Sequence, residues 1–158
     1  MRILHYLHGL PPVRGGGLVK YALDLAEMQS KSDDVALLLP GPISYAKKRR
    51  KCVSIKADGE WKDIPKYRIN NPLPVPMGNG ILDIKMYTVP CDVAVYMRFL
   101  EGYKPDVIHV HTFMGLHKEF LEAVKKLAVP VVYTTHDYFG ICPIANLLHN
   151  NCICTQQG

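Results

Sequence analysis

KPDVIHVHTFMGLHKEFLEAVKKLAVPVVYTTHDY, residues 104–138, reads as strand, helix, strand. Pro105-Asp106 opens Val107–His111, a short and mostly apolar run of the kind a buried parallel strand carries. Leu116, Phe120, Val124 and Leu127 then recur at helical spacing through Leu116–Ala128. Pro130 precedes Val131–Thr135, which is rich in β-branched residues. Strands joined through a helix lie parallel, and the crossover between them is right-handed.

The same alternation extends toward the amino terminus. Arg2–Leu7 is a buried strand, and His8–Gly17 is a loop punctuated by Pro11-Pro12 and the three glycines Gly15-Gly16-Gly17. Leu18–Lys31 follows as a helix, with Leu18, Ala22, Leu25, Ala26 and Gln29 on one face, apolar except at its end. Asp33-Asp34 turns the chain into a second strand, Val35–Leu39, which Pro40-Gly41-Pro42 stops. Between residues 42 and 90 the pattern weakens. Cys52–Lys56 and Lys66–Asn70 are candidate strands, and Pro72, Pro74, Pro76, Gly78 and Gly80 mark an irregular loop. Asp92–Tyr103 returns to helical spacing, with Val95, Tyr96, Phe99, Leu100 and Tyr103 on one side. There is no internal repeat. The expectation is an α/β fold: a parallel sheet with helices on both faces and strand order 3-2-1-4-5. Its winding reverses between Arg2–Leu7 and Asp106–His111, and ligands bind at the carboxyl ends of strands beside such a switch point.

Length and composition fit one globular domain: 158 residues, 48% hydrophobic and 21% charged. No apolar run approaches the roughly 18 residues of a membrane span. Met1-Arg2-Ile3-Leu4-His5 enters a strand pattern directly, with no signal-peptide core, and the expected location is cytoplasmic. Five cysteines, an odd number, suit a reduced compartment better than a disulfide framework. The net charge is +5, and Lys47, Lys48, Arg49, Arg50 and Lys51 supply five positive charges by themselves. Such a block is either a solvated charge run or a peripheral contact for anionic lipid. No aromatic residues interleave it in the manner of a nucleic-acid surface.

Three fragments carry chemistry. Gly15-Gly16-Gly17 leads straight into a helix, so that backbone N–H groups and the positive helix end can approach a phosphate; the alternative is a flexible turn. It is not Gly-x-Gly-x-x-Gly, and Leu39-Pro40-Gly41 stands where a nicotinamide-binding domain places an acidic residue. His109 and His111 share one side of their strand. His109 is expected to be buried and hydrogen-bonded, and His111, nearer the edge, to face ligand. As a zinc pair they lack a third ligand of obvious spacing. His136-Asp137 ends the last strand, where polar side chains reach substrate; capping roles are the alternative, and Asp137 is placed to cap the following turn. Cys142, Cys152 and Cys154 read as free thiols; the alternative is a metal site with His149 as fourth ligand, for which the Cys-x-Cys spacing of 152 and 154 is tight around one tetrahedral zinc.

ILHYLHGLPPVRGGGLVKYALDLAEMQ (3–29), RINNPLPVPMGNGI (68–81) and KPDVIHVHTFMGLHKEFLEAVKKLAVPVVYTTHDYFGICP (104–143) together resemble the amino-terminal domain of the family 4 retaining glycosyltransferases. The resemblance implies a GT-B architecture, two Rossmann-like domains with the active site between them. The amino-terminal domain binds acceptor, and the carboxy-terminal domain holds the nucleotide-sugar donor. Gly16 and Gly17 match the family's glycine loop, which contacts the donor diphosphate. His136 matches the histidine that contacts the transferred sugar, the catalytic position. His111 and Asp137 fall on the acceptor side. Neither metal nor cofactor is implied, since the nucleotide sugar is a substrate; the acceptor is a glycan, a lipid-linked species or a small molecule, in cell-envelope polysaccharide synthesis. The donor domain's Glu-x7-Glu motif does not occur in residues 1–158. The chain is therefore expected to be the acceptor-side domain alone, inactive by itself; a stand-alone nucleotide- or sugar-binding module is the rival reading.

Overall fold

The computed structural model describes residues 1–42, 52–76 and 83–142, with the backbone of 148–149 and 152–153. In chain order the elements are β1 (Arg2–Tyr6), α1 (Gly17–Gln29), β2 (Asp34–Pro40), β3 (Ser54–Trp61), β4 (Ile64–Asn70), α2 (Ile84–Tyr87), α3 (Val93–Tyr103), β5 (Val107–Val110), α4 (Lys118–Lys126), β6 (Val131–Tyr133), β7 (Leu148–His149) and β8 (Cys152–Ile153). The main sheet runs β3-β4-β2-β1-β5-β6, and β7 pairs with β8 separately. All its pairs are parallel except β3 with β4. This is a Rossmann-like α/β sheet.

The five parallel strands keep the expected order, with β4 third. The correction is β3, an added antiparallel edge strand. It joins β4 through Lys62 (φ 48°) and Asp63 (φ 64°), between the paired residues Trp61 and Ile64. Two left-handed residues in a two-residue loop make a type I′ hairpin, whose usual signature is Asn-Gly. Lys-Asp carries no such signature, so the sequence shows two candidate strands but not their antiparallel pairing.

Side-chain alternation along β1 divides the core. Leu4 and Tyr6 point to one face, where Leu38, Ile69, Ile108 and Val110 meet Tyr96 and Leu100 of α3 and Phe120 and Val124 of α4. Ile3 and Leu7 point to the other, where Val35, Leu37 and Leu39 meet Val19, Ala22, Leu23 and Ala26 of α1. The buried stripe of α1 is thus turned from the expected one: Val19 and Leu23 are buried, while Leu18 and Leu25 are half-buried. The Lys47–Lys51 block and Cys154 lie outside the described residues, as does the side chain of Cys152; Cys52 is exposed, Cys91 half-buried and Cys142 buried.

Candidate functional site

His5 shares the α1 side of β1 with Ile3 and Leu7, in the middle of an apolar layer, and is fully buried. Parallel pairing sets His5 beside His109 of β5. His111 follows on the same side, because its N–H still bonds the Tyr6 carbonyl at 2.9 Å and so continues the sheet. His136 comes just after β6, whose pairing continues through Thr134 N–H to the Val110 carbonyl at 3.1 Å. The sheet thereby gathers four imidazoles at one edge.

Hydrogen bonds connect them. His5 Nε2 lies 2.8 Å from Gln29 Oε1 at the end of α1. His5 Nδ1 lies 3.0 Å from His111 Nε2, and His111 Nδ1 lies 3.3 Å from His136 Nε2. His109 bonds Thr134 Oγ1 at 2.7 Å and stacks on His111, ring centroids 4.1 Å apart. Tyr21 of α1 stands edge-on to His136 and His111, at 5.1 and 5.9 Å between ring centroids. Burial pushes His5 down to about 4 and His111 to about 3, the second helped by the neighbouring histidines. His109 and His136 are lowered as well, again by burial first, with Asp137 opposing at His136. The cluster is therefore neutral at neutral pH, a set of hydrogen-bonding groups and not a cationic patch.

His111 does not sit as expected. It is 1% exposed, and both its ring nitrogens are taken by His5 and His136. Continued pairing with β1 draws it under Tyr21 and His136, so His136 is the half-exposed member above it. His109, expected to be buried, is half-buried but hydrogen-bonded as expected. Asp137 Oδ1 accepts from Phe139 N–H at 2.9 Å, which is the turn-capping role.

The glycine loop reaches the same edge. Gly16, with φ 104° and ψ 177°, precedes α1, and its carbonyl accepts from Lys20 N–H at 3.0 Å. No side chain caps this helix start and no acidic residue lies in its first turn. A Cβ built on Gly15, Gly16 or Gly17 would meet nothing within 4 Å. First-turn N–H groups and open space are what an anion needs at a helix N-terminus.

Beside it, a cleft of about 490 Å³ opens at the carboxyl ends of β1, β2 and β4, lined by His8, Arg14, Pro40, Lys66, Arg68 and Leu73 among others. Among the described residues, His8 Nδ1 is a buried side-chain atom with no hydrogen-bond partner. Burial lowers the His8 pKa, Arg14 adds to this, and Asp137 opposes it.

A family model, Glycosyltransferase Family 4, matches residues 15–150. The chain belongs to Glycosyltransferase Family 4. The matched span contains the glycine loop, both β5 histidines and His136-Asp137. Among solved structures, this family 4 chain is similar to the catalytic domain of Starch Synthase IV from Arabidopsis thaliana, bound to ADP and acarbose. The identity is 16% and the TM-score 0.50, over 87% of this chain and 34% of that one. The similarity is one of fold, and the chain spans about a third of that structure's length. No curated protein matches it significantly.

Sequence reasoning missed His5, His8, Tyr21 and Gln29. His5 shares parity with Ile3 and Leu7, which places it inward, but only the β1–β5 register reveals His109 beside it. Gln29 did interrupt an apolar helix face, and that was the legible trace of the cluster.

Proposed function

We propose that this chain is the acceptor-side, amino-terminal domain of a GT-B glycosyltransferase that moves a sugar from a nucleotide-sugar donor to a glycan or lipid-linked acceptor, with retention of anomeric configuration. The observation that carries the reading is the position of Tyr21. It lies four residues, about one helical turn, past Gly17, and its ring touches that of His136. A diphosphate on the glycine loop would thus have its sugar near His136. The ADP and acarbose bound to the structurally similar starch synthase agree with a nucleotide and a glycan on this fold.

In this reading Gly16 and Gly17 receive the donor diphosphate, whose charge grows as the glycosidic bond breaks. Fixed N–H dipoles stabilise that charge more in the transition state than in the ground state. His136 holds the transferred sugar, and the leaving phosphate helps deprotonate the acceptor on the same face. The acceptor enters through the His8 cleft, past Asp137, with His111 supporting His136 from below. No metal or cofactor is required. The enzyme works in the cytoplasm, with the Lys47–Lys51 block at an anionic membrane surface; among the described residues no helix is long and apolar enough to cross one.

The test incubates the chain, alone and joined to a donor-binding domain, with a panel of nucleotide sugars and lipid-linked or glycan acceptors. Transfer by the joined form only is expected. Tight binding with no transfer by either form would replace the reading with a binding module. Co-sedimentation with acidic against neutral vesicles, at low and moderate salt, tests the membrane contact; equal binding to both would refute it.

A further inference from the structure

Gln29 closes α1 on a face that is otherwise apolar, and sugar transfer calls for no amide at that depth. Its partner explains it. A neutral imidazole has one N–H and one lone pair, so the partner of one nitrogen dictates the role of the other. Facing the Gln29 carboxamide oxygen at 2.8 Å, His5 Nε2 carries the proton and His5 Nδ1 the lone pair. That lone pair accepts from His111 Nε2–H at 3.0 Å, which leaves His111 Nδ1 to accept from His136 Nε2–H at 3.3 Å. The ring nitrogen left outside the series is His136 Nδ1, as a lone pair.

We propose that Gln29, acting through His5 and His111, is a positioning residue that locks His136 in the Nε2–H tautomer and presents its Nδ1 lone pair to a hydroxyl-bearing ligand. The ligand half of this statement rests on the proposed function; the tautomer half does not. Sugar hydroxyls are hydrogen-bond donors, and a fixed acceptor orients one without having to reorganise. The series is a lock and not a proton wire. It ends on a carboxamide, which accepts a hydrogen bond but takes up no proton at neutral pH, so a proton entering at His136 has no exit at the far end. The alternative use of these rings is a metal site on His5, His109 and His111, whose ligand atoms lie within 4.8 Å of one another. Rings stacked as His109 and His111 are, 26° from parallel, do not converge their lone pairs on one point, and hydrogen bonds already engage all three residues.

Nitrogen-15 labelling of the histidines in this 158-residue chain, with two-bond proton–nitrogen correlation at about pH 7.5, above the ordinary histidine range, reads the tautomers directly. His5, His111 and His136 should each show a protonated Nε2 and an unprotonated Nδ1. Gln29→Met keeps the volume and removes the acceptor, so the two His136 ring-nitrogen shifts should move toward each other as tautomers mix. Gln29→Glu keeps an oxygen acceptor and should restore the single tautomer. An Nδ1–H signature at His5 or His111 in the parent chain overturns the proposal, even if Gln29→Met fails to fold. So does a His136 spectrum that Gln29→Met leaves unchanged. None of these readings needs substrate, so failure of the lock and failure of the transferase reading are separate results.

Discussion

Tyr6 and His5 are neighbours in β1, and both are fully buried, yet they face opposite chemistries. Tyr6 packs on Phe120 and sends its hydroxyl to the Met114 carbonyl at 2.6 Å, in a layer of Leu, Ile and Val. His5 stacks on His111 and bonds Gln29. One face of the sheet is closed by two helices and holds hydrocarbon. The other is covered, among the described residues, by α1, whose start is bare glycine, and its carboxyl edge holds imidazoles. The difference teaches where this fold keeps stability and where it keeps chemistry: on the α3–α4 side a hydrocarbon layer in which the buried Tyr6 and Tyr96 hydroxyls bond the Met114 carbonyl and His117, on the α1 side a connected cluster of hydrogen-bonded imidazoles.

The largest effect expected on the apolar face comes from Phe120→Ala. Phe120 is fully buried between Tyr6 and Tyr96. Its loss should cost about 3–5 kcal/mol in denaturant unfolding. The histidine ring-nitrogen shifts should stay put in whatever fraction remains folded, because the sheet separates the two layers. Coupled changes on both faces would break the comparison.

His136→Ala is the matching test on the polar face. In an active, donor-domain-bearing enzyme it should lower kcat by an amount equal to about 2–4 kcal/mol, with donor affinity little changed, as for loss of a preorganised contact at the reaction centre. Steady-state kinetics check it. Near-parental kcat would leave His136 a structural member of the cluster.

How much of this contrast was legible follows from the physics of each face. The hydrocarbon layer was open to reading because apolar periodicity in Val107–His111 and Leu116–Ala128 is a local signal; Val131–Thr135 read as a buried strand, but β6 is the sheet edge and leaves Val131 and Val132 exposed. The ends of the β–α units located the glycine loop and His136 for the same reason. His5 and Gln29 were opaque because their meaning is a contact between β1, β5 and α1, distant in sequence. His111 was misjudged because parity gives a side of the sheet but not where pairing stops. The β3–β4 hairpin hid behind a Lys-Asp turn.

Acid should weigh most on the imidazole face without any mutation, since His5, His109, His111 and His136 all have lowered pKa values there, against His117 beside Tyr96 on the other. His5 and His111 have pKa values lowered from 6.5 to about 4 and about 3, both because burial disfavours the charged form. Between the folded and unfolded values the unfolded chain binds a proton that the folded chain refuses. Stability is therefore full above about pH 6.5 and falls as pH drops toward 4, with a slope of about 1.4 kcal/mol per pH unit for each histidine. Urea titrations across that range should show the slope, and His5→Asn should remove the His5 share of it. An unchanged slope in His5→Asn would mean that other groups govern acid unfolding.

The smallest effects on stability fall on two adjacent glycines, and they sharpen the comparison most. Gly16 combines φ 104° with ψ 177°, a backbone region that essentially glycine alone adopts, so Gly16→Ala should cost about 1–3 kcal/mol through strain. Gly17 begins α1 with ordinary helical backbone, and a Cβ on it meets nothing within 4 Å. Gly17→Val should therefore move the melting temperature little, within about 0.5 kcal/mol for a surface site. The open space it fills is where the donor diphosphate would approach the first-turn N–H groups, so in a donor-domain-bearing enzyme transfer should be lost while the fold survives. Thermal melts and transfer assays on the pair decide the matter. Activity retained in Gly17→Val would place the phosphate elsewhere, and a large melting shift in that variant would show that the glycine serves the turn itself.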